Sequence, residues 1–332
     1  VNRNYEEKVR SYALTGIQEI NSACTIPILI KTLESDLWPL RAQSAKILIN
    51  HPHSPQKKIL EVMHKGSKNL RYWGFEILQN IIEDKHLCML EEAVKSADFD
   101  FRFQAIGLIA QVKGASAAKI LSEQLKDETW YIRKHCADGL VHLGATSIPV
   151  LGKNLNQRSS EEIFWICRVF SKLKLSSSIP FLEKLMLHED KQIRLYALDA
   201  VGSIGGTRSV DLLIQAFNNQ FWIVRSKAHE ALIELGIDAI IPLLQQLRNT
   251  SESVLYWTQK TLEESPLYGA RTIMRFLNET NEREFFEILE QLSILNQHAF
   301  QELISNDDLK PHNILEALKE SKNQTLANHY KP

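Results

Sequence analysis

Most features that would mark a chemistry are scarce in this sequence. Four cysteines occur in 332 residues, and none stands in a Cys-x-x-Cys. Cys24, Cys88, Cys136 and Cys167 each fall in an apolar, helix-like setting, as buried free thiols do, so a reducing, cytoplasmic compartment is expected. Nowhere do eighteen apolar residues run together, so no membrane span is expected. The amino-terminal VNRNYEEKVRSY lacks the apolar segment of a secretion signal. With 39 Lys and Arg against 40 Asp and Glu, the formal charge is −1. No overall basic field therefore advertises nucleic acid or a membrane surface. Thirteen Gly and 10 Pro are too few for a β protein with many tight turns. The Gly-rich phosphate loop, Gly-x-Ser-x-Gly and His-Glu-x-x-His are also missing. No cofactor and no metal are implied.

What is present is a beat. ETWYIRKHCADGLVHLG at 128–144 returns as QFWIVRSKAHEALIELG at 220–236, and DLWPLRAQSAKIL at 36–48 is a third version. With Arg133 as an anchor, equivalent positions fall at Arg10, Arg41, Arg71, Arg102, Ile163, Arg194, Arg225 and Leu255, always 30 or 31 residues apart. Around each anchor the apolar residues lie at −1, at +3 or +4, at +7 and at +10, which is one stripe of an α-helix. A second apolar segment precedes each anchor, and Pro27, Pro149, Pro180 and Pro242 sit near the starts of four of them, where proline fits a first helical turn. Polar residues such as Lys126-Asp127-Glu128 join the two. Each repeat is thus a helix–turn–helix of about thirty residues that cannot bury both apolar faces alone; stacking into an all-α solenoid of about ten pairs follows.

A longer period overlies the short one. Trp38, Trp130 and Trp222 are 92 residues apart, each at −3 from its anchor; Trp73, Trp165 and Trp257 are also 92 apart, each at +2. The second series carries an aromatic neighbour each time, in Tyr72, Phe164 and Tyr256. The architecture therefore reads as a 92-residue triplet of helix pairs presented three times, and copied with its tryptophans. Residues 5–20 supply a second helix with no first (Val9, Arg10, Ala13, Leu14, Ile17), so the chain is expected to start mid-repeat as a segment of a longer protein. Beyond 296 the beat weakens. A solenoid over 1–296 is expected, followed over 297–332 by a cap with a helix near Pro311–Lys319 and a polar tail.

Asp127, Ile132-Arg133, Ala137, Leu140 and Leu143-Gly144 form a pattern of turn Asp, Val-Arg-like pair, small residue and Leu-Gly, repeated by Val224-Arg225, Ala228, Leu232 and Leu235-Gly236. This resembles the short HEAT repeats of the phycobilin-lyase type, over roughly 5–295. The resemblance implies a superhelix whose second helices line a concave face, and a protein partner as the usual ligand. It also raises other readings. Phycobilin lyases share the repeat but rest on a bilin pocket that the repeat alone does not identify. HEAT-like alkylpurine DNA glycosylases use Trp, Asp and Arg in a basic cleft; Trp165 with Lys153, Arg158, Arg168 and Lys172 is the nearest match, interrupted by Glu161 and Glu162. The di-iron deoxyhypusine hydroxylases carry several His-Glu pairs, whereas this chain has two, at His188 and His229, in different places of their repeats. His51-Pro-His53 reads as a polar loop.

Two sets of side chains stand out. The position +2 lies about 200° round the helix from the anchor. On the concave face that column would present Tyr12, Trp73, His135, Trp165, Tyr196, Lys227 and Trp257, with Arg168 beside it, as a partner-binding surface. The second set, Arg41, Arg71, Arg102, Arg133, Arg194 and Arg225, is expected to be a structural ladder bonded to turn carboxylates such as Asp36, Asp127 and Asp190. Each −3 Trp is expected to meet the +2 Trp of the next repeat, with ring centroids within about 7 Å. Together these features predict a non-enzymatic scaffold that binds a protein partner, with nucleic acid not expected.

Overall fold

The computed structural model of the chain describes residues 3–20, 22–64, 66–247 and 251–265, which are helix and turn with no strand among them. The expected cap, the helix near Pro311–Lys319 and the boundary at 296 lie outside the described residues. The chain divides into two compact units, Val1–Val169 and Phe170–Pro332.

The first unit begins with α1 (Arg3–Ile20). Helix pairs follow: α2 (Ile26–Thr32) with α3 (Trp38–Ile49), α4 (Gln56–Met63) with α5 (Lys68–Ile81), and α6 (Leu87–Ala93) with α7 (Phe99–Gln111). Then come α8 (Ala115–Glu123) with α9 (Trp130–Leu143), and α10 (Ser147–Leu151) with α11 (Ser160–Leu173), whose last turn belongs to the second unit. That unit continues with α12 (Ile179–Met186) and α13 (Lys191–Ile204), α14 (Thr207–Gln215) and α15 (Trp222–Leu235), and α16 (Ile237–Gln246) and α17 (Glu252–Glu264). Every anchor from Arg41 to Leu255 lies on the second helix of a pair, and Arg10 lies on α1, which has the place of a second helix and no first helix before it among the described residues.

Within the first unit second helices stack in order, α1 on α3, α3 on α5, α5 on α7 and α7 on α9, while α6, α8 and α10 form a parallel layer of first helices. The second unit repeats this with α13, α15 and α17 against α12, α14 and α16. The main contacts among the described residues are therefore between neighbouring repeats, and the protein is an all-α solenoid. The stripe positions form the core: Ile132, Cys136, Ala137 and Leu140 of α9 are buried, as are Val224, Ala228 and Leu232 of α15. Local chemistry sets the helix ends. Ser67 and Asp98 accept from the backbone N–H groups of Leu70 (3.3 Å) and Phe101 (3.1 Å) at the starts of α5 and α7. At the ends of α9 and α15, Gly144 (φ 69°) and Gly236 (φ 60°) take a conformation costly for any side chain, which accounts for the Leu-Gly of the repeat.

Small residues set how closely second helices approach. A Cβ on Gly202 of α13 would stand 2.9 Å from the Cβ of Ala231 of α15. Around Gly16 of α1 there is nothing within 4 Å. Alanine is favoured over glycine in a helix interior by about 0.8–1 kcal/mol, so Gly16→Ala is expected to stabilise by about that much. Gly202→Ala should reverse the sign, because forcing a methyl into a packed contact costs about 1–3 kcal/mol. Urea midpoints of the two variants check the pair of signs.

Two expectations are corrected here. Pro242 lies inside α16 and not at its start; Pro27 and Pro180 are the second residues of α2 and α12, and Pro149 is the third of α10, all within first turns. Cys24 and Cys88 are exposed, so only Cys136 and Cys167 are the buried thiols foreseen. Burial, with Asp127 adding to it, pushes the Cys136 thiol well up from its ordinary range.

Candidate interaction face

The outward face of a second helix follows from where its buried stripe is centred. Positions −1, +3, +7 and +10 fall at about −100°, −60°, −20° and −80° from the anchor, so the stripe's centre is about 65° away from it. Position +2 is then about 95° from that centre, on the flank of the helix. Positions +1, +5, +8, −2 and −3, in that order, point furthest out. The +2 column accordingly does not form the open face expected of it. Trp165 and Trp257 are buried, at 3% and 2% exposure. Trp73, His135, Tyr196 and Lys227 are half-buried. Only Tyr12 and the +5 residue Arg168 are exposed.

Flank residues reach back to the preceding second helix. Gln43 Nε2 donates to the carbonyl of Ser11 (3.2 Å), and the Ser11 hydroxyl donates to Gln43 Oε1 (2.8 Å). The His135 ring stacks on Phe103 with centroids 4.0 Å apart, and burial lowers its pKa. Lys227 Nζ pairs with Asp199 of α13 at 2.9 Å, and that hydrogen bond raises its pKa. In the three tryptophan pairs the contact is indole to indole. Trp38–Trp73, Trp130–Trp165 and Trp222–Trp257 have centroids 6.1, 5.8 and 6.0 Å apart and interplanar angles of 57°, 59° and 56°. Near-identical geometry at a 92-residue interval shows that the pair is a unit of the repeat. The neighbouring aromatic meets the +2 Trp edge-on each time, with Tyr72, Phe164 and Tyr256 at 5.5, 5.3 and 5.5 Å.

Within each pair the −3 Trp is the open one: Trp38, Trp130 and Trp222 are 62%, 48% and 58% exposed. Tyr72 and Tyr256 at +1, Phe99 at −3, Phe103 at +1 and Tyr131 at −2 are exposed as well. Every exposed aromatic side chain among the described residues lies on a second helix. Cations lie over some of the rings, Lys134 over Trp130 at 5.6 Å, Arg168 over Trp165 at 5.9 Å and Lys260 over Trp257 at 5.3 Å. The −3 series was visible in the sequence, but reading outwardness from the anchor and not from the stripe's centre assigned the surface to the wrong tryptophans.

The arginine ladder is bonded chiefly to backbone carbonyls of the turn in its own repeat. Arg41 Nη1 donates to the Ser35 carbonyl (3.1 Å), Arg102 Nη1 to Ser96 (2.7 Å), Arg133 Nη1 to Asp127 (2.6 Å) and Arg225 Nη1 to Asn219 (2.7 Å). Arg71 reaches the Met63 and His64 carbonyls (3.1 and 3.2 Å), and Arg194 Nε donates to that of His188. The carboxylates and amides that join in come from the following repeat: Asp98 for Arg71 (2.8 Å), Asp127 for Arg102 (3.5 Å) and Asn219 for Arg194 (3.3 Å). Of the turn carboxylates expected to bond to the ladder, Asp127 does so and braces adjacent repeats, through Arg102 of the repeat before it. Asp190 caps α13 at the Gln192 N–H (2.8 Å). Asp127 also accepts from Thr129 N–H (2.7 Å).

Where the anchor is Ile163, Arg158 substitutes. Its guanidinium donates to the hydroxyl (2.8 Å) and carbonyl (3.3 Å) of Ser122 and pairs with Glu162 at 3.3 Å. That takes Arg158 out of any basic cleft around Trp165. His229 is likewise a brace, buried between Thr261 Oγ1 (2.9 Å) and Glu264 Oε2 (3.0 Å) of α17. No group of three or more His, Cys, Asp or Glu is placed to hold a metal among the described residues.

One link in the ladder titrates. The Phe101 N–H bond, with the Arg71 guanidinium behind it, holds the Asp98 carboxyl below its usual range. A depressed folded-state pKa stabilises above the unfolded value of about 4 and loses that stabilisation as pH falls through the folded value. Asp98→Asn is expected to remove part of the acid-side dependence of the urea midpoint while leaving the dependence above pH 6 unchanged.

Residues 148–233 and 179–263 match a family model described as HEAT repeats. This part of the chain is built of HEAT repeats. They cover the end of the first unit and the described part of the second, and α1 to α9 continue the same helix-pair design before them. No curated protein matches the chain. Among solved structures it aligns with an engineered protein at 16% identity, over 93% of this chain and 95% of that one, with a TM-score of 0.35. Human deoxyhypusine hydroxylase in complex with glycerol aligns at 16% identity, over 68% of this chain and 88% of that one, with a TM-score of 0.32. YibA from Escherichia coli aligns at 17% identity, over 80% and 98%, also at 0.32. Scores of this size bear on no functional question.

Proposed function

We propose that the protein is a non-enzymatic scaffold whose HEAT-type repeats bind a protein partner through the outward face of their second helices. The observation that carries this is the confinement of exposed aromatic rings to second helices among the described residues, all but Tyr12 on that face, above all Trp38, Trp130 and Trp222. A solvated helix face favours polar residues, whereas exposed Trp and Tyr in clusters are what binding hot spots are made of. The pairs add preorganisation. Each open indole is held against its neighbour's indole, so little side-chain freedom remains to be lost on binding. The Val-Arg, small-residue and Leu-Gly pattern further supports assigning the repeats to the short phycobilin-lyase type as a repeat, without its chemistry.

The test is a purified partner, identified by cross-linking in the source cells, titrated against the wild type and a Trp38→Ser, Trp130→Ser, Trp222→Ser triple variant. At least tenfold weaker binding by the variant is expected, since each aromatic hot spot carries about 2 kcal/mol or more. Equal affinity would remove the aromatic face from the account.

A further inference from the structure

The three indole pairs are alike in geometry and unlike in charge. On the middle pair, Lys134 Nζ lies over Trp130 at 5.6 Å and the Arg168 guanidinium over Trp165 at 5.9 Å. One cation comes from α9, at +1, and the other from α11, at +5. The same two positions beside Trp38 and Trp73 hold Ala42 and Glu76, and beside Trp222 and Trp257 they hold Ser226 and Lys260. Lys260 lies over its ring at 5.3 Å but shares its charge with Glu264, 3.9 Å away. The copies have kept the rings and varied the ions on them.

Neither Lys134 nor Arg168 makes a hydrogen bond or an ion pair among the described residues. The carboxylates of α9 and α11 are engaged elsewhere. Glu161 pairs with Arg133 at 3.6 Å, Glu162 with Arg158 at 3.3 Å, and the half-buried Asp138 acts on His135. Beside the cations the aromatic surface is open: Trp130 is 48% and the adjoining Tyr131 64% exposed, with centroids 5.2 Å apart. A cation over a ring keeps its outward N–H groups for an anion. The site is thus an apolar shelf with uncompensated positive charge at both of its indoles, which suits a partner of opposite charge.

We propose that the Trp130–Trp165 pair takes an acidic segment of the partner protein, with one aromatic side chain laid on Trp130 and Tyr131 and the carboxylates flanking it on Lys134 and Arg168. This rests on the outward face being the binding surface, and adds which part of that face selects by charge. Nucleic acid is the poorer fit, because two cations neutralise few phosphates and Glu161, 74% exposed, stands in the first turn of α11.

The probe is the end-capped peptide GEDFDEG, titrated into the full chain carrying 5-fluorotryptophan while the ¹⁹F resonances are followed. A saturable shift is expected at Trp130, at a peptide concentration at least about tenfold below any that moves Trp38. The neutral GQNFNQG should bind at least about tenfold more weakly, as should GEDFDEG to a Lys134→Gln, Arg168→Gln variant or at raised salt, where exposed charges are screened. Ala42→Lys combined with Glu76→Arg should bring the acidic peptide to Trp38. Equal binding of the two peptides, or unchanged affinity in the double Gln variant, would overturn the charge assignment and leave the aromatic face standing. Absence of a saturable shift at Trp130 would overturn it as well, and the partner titration with the Trp triple variant then decides the face separately. A single-stranded oligonucleotide that shifts Trp130 at lower concentration than the peptide would overturn it in favour of nucleic acid.

Discussion

Trp257→Ala is expected to cost about 3–5 kcal/mol of unfolding free energy, the range for deleting a buried large aromatic, whereas Trp222→Ala should cost no more than about 1–1.5 kcal/mol, the worth of an aromatic pair. The two indoles touch each other, yet they do different jobs. Trp257 is 2% exposed and its ring is enclosed by Phe217 at 6.2 Å, Trp222 at 6.0 Å, His229 at 5.6 Å and Tyr256 at 5.5 Å. Removing it opens a cavity between α15 and α17 that neither helix can collapse without losing its other contacts. Trp222 is 58% exposed at the first turn of α15, so its loss forfeits one ring contact and opens no cavity. Urea unfolding followed by far-ultraviolet circular dichroism separates the two. Comparable losses would mean that both members of the pair carry the packing.

Arg133→Ala is expected to cost about 2–3 kcal/mol and Arg168→Ala less than about 1 kcal/mol. Arg133 donates to the Asp127 and Glu128 carbonyls at 2.6 and 3.1 Å, and hydrogen bonds from a charged donor are worth about 1.5–3 kcal/mol each. The figure belongs at the lower end of their sum because the buried Nε of Arg133 has no hydrogen-bond partner, a cost shared by Arg41 and Arg225. Arg133→Lys should recover only part of the loss, since an ammonium cannot span two carbonyls as the planar fork does. Arg168 is exposed and lies 5.9 Å from the Trp165 ring, a cation–π contact worth about 0.5–1 kcal/mol in such a position.

The solenoid could be read from the spacing alone because each repeat pays its own way in apolar surface, and a stripe at −1, +3, +7 and +10 admits one packing partner per side. The tryptophan pairs were legible for the same reason: 35 residues is one repeat plus about a turn, which brings a −3 side chain under a +2 side chain of the next helix. The outward face was not legible from the anchor. Arg133 looks like the middle of the pattern but sits at its edge, with its guanidinium turned to the turn carbonyls, and the resulting offset of about 65° moved Trp165 and Trp257 from surface to core. The turn carbonyls that take most of the ladder's hydrogen bonds leave no mark in a sequence, whereas a carboxylate such as Asp127, which pairs with Arg102, does. Arg158 replaces the missing anchor at Ile163 from five residues earlier, a substitution that only the geometry at Ser122 discloses.

The division of labour between the two tryptophan series is measured most directly by ¹⁹F nuclear magnetic resonance of protein carrying 5-fluorotryptophan, assigned by single Trp→Phe variants, in light and heavy water. Solvent isotope shifts should be large for Trp38, Trp130 and Trp222, small for Trp165 and Trp257, and intermediate for Trp73. Large shifts at Trp165 and Trp257, with Trp38, Trp130 and Trp222 silent, would place the open face on the other series and contradict the account.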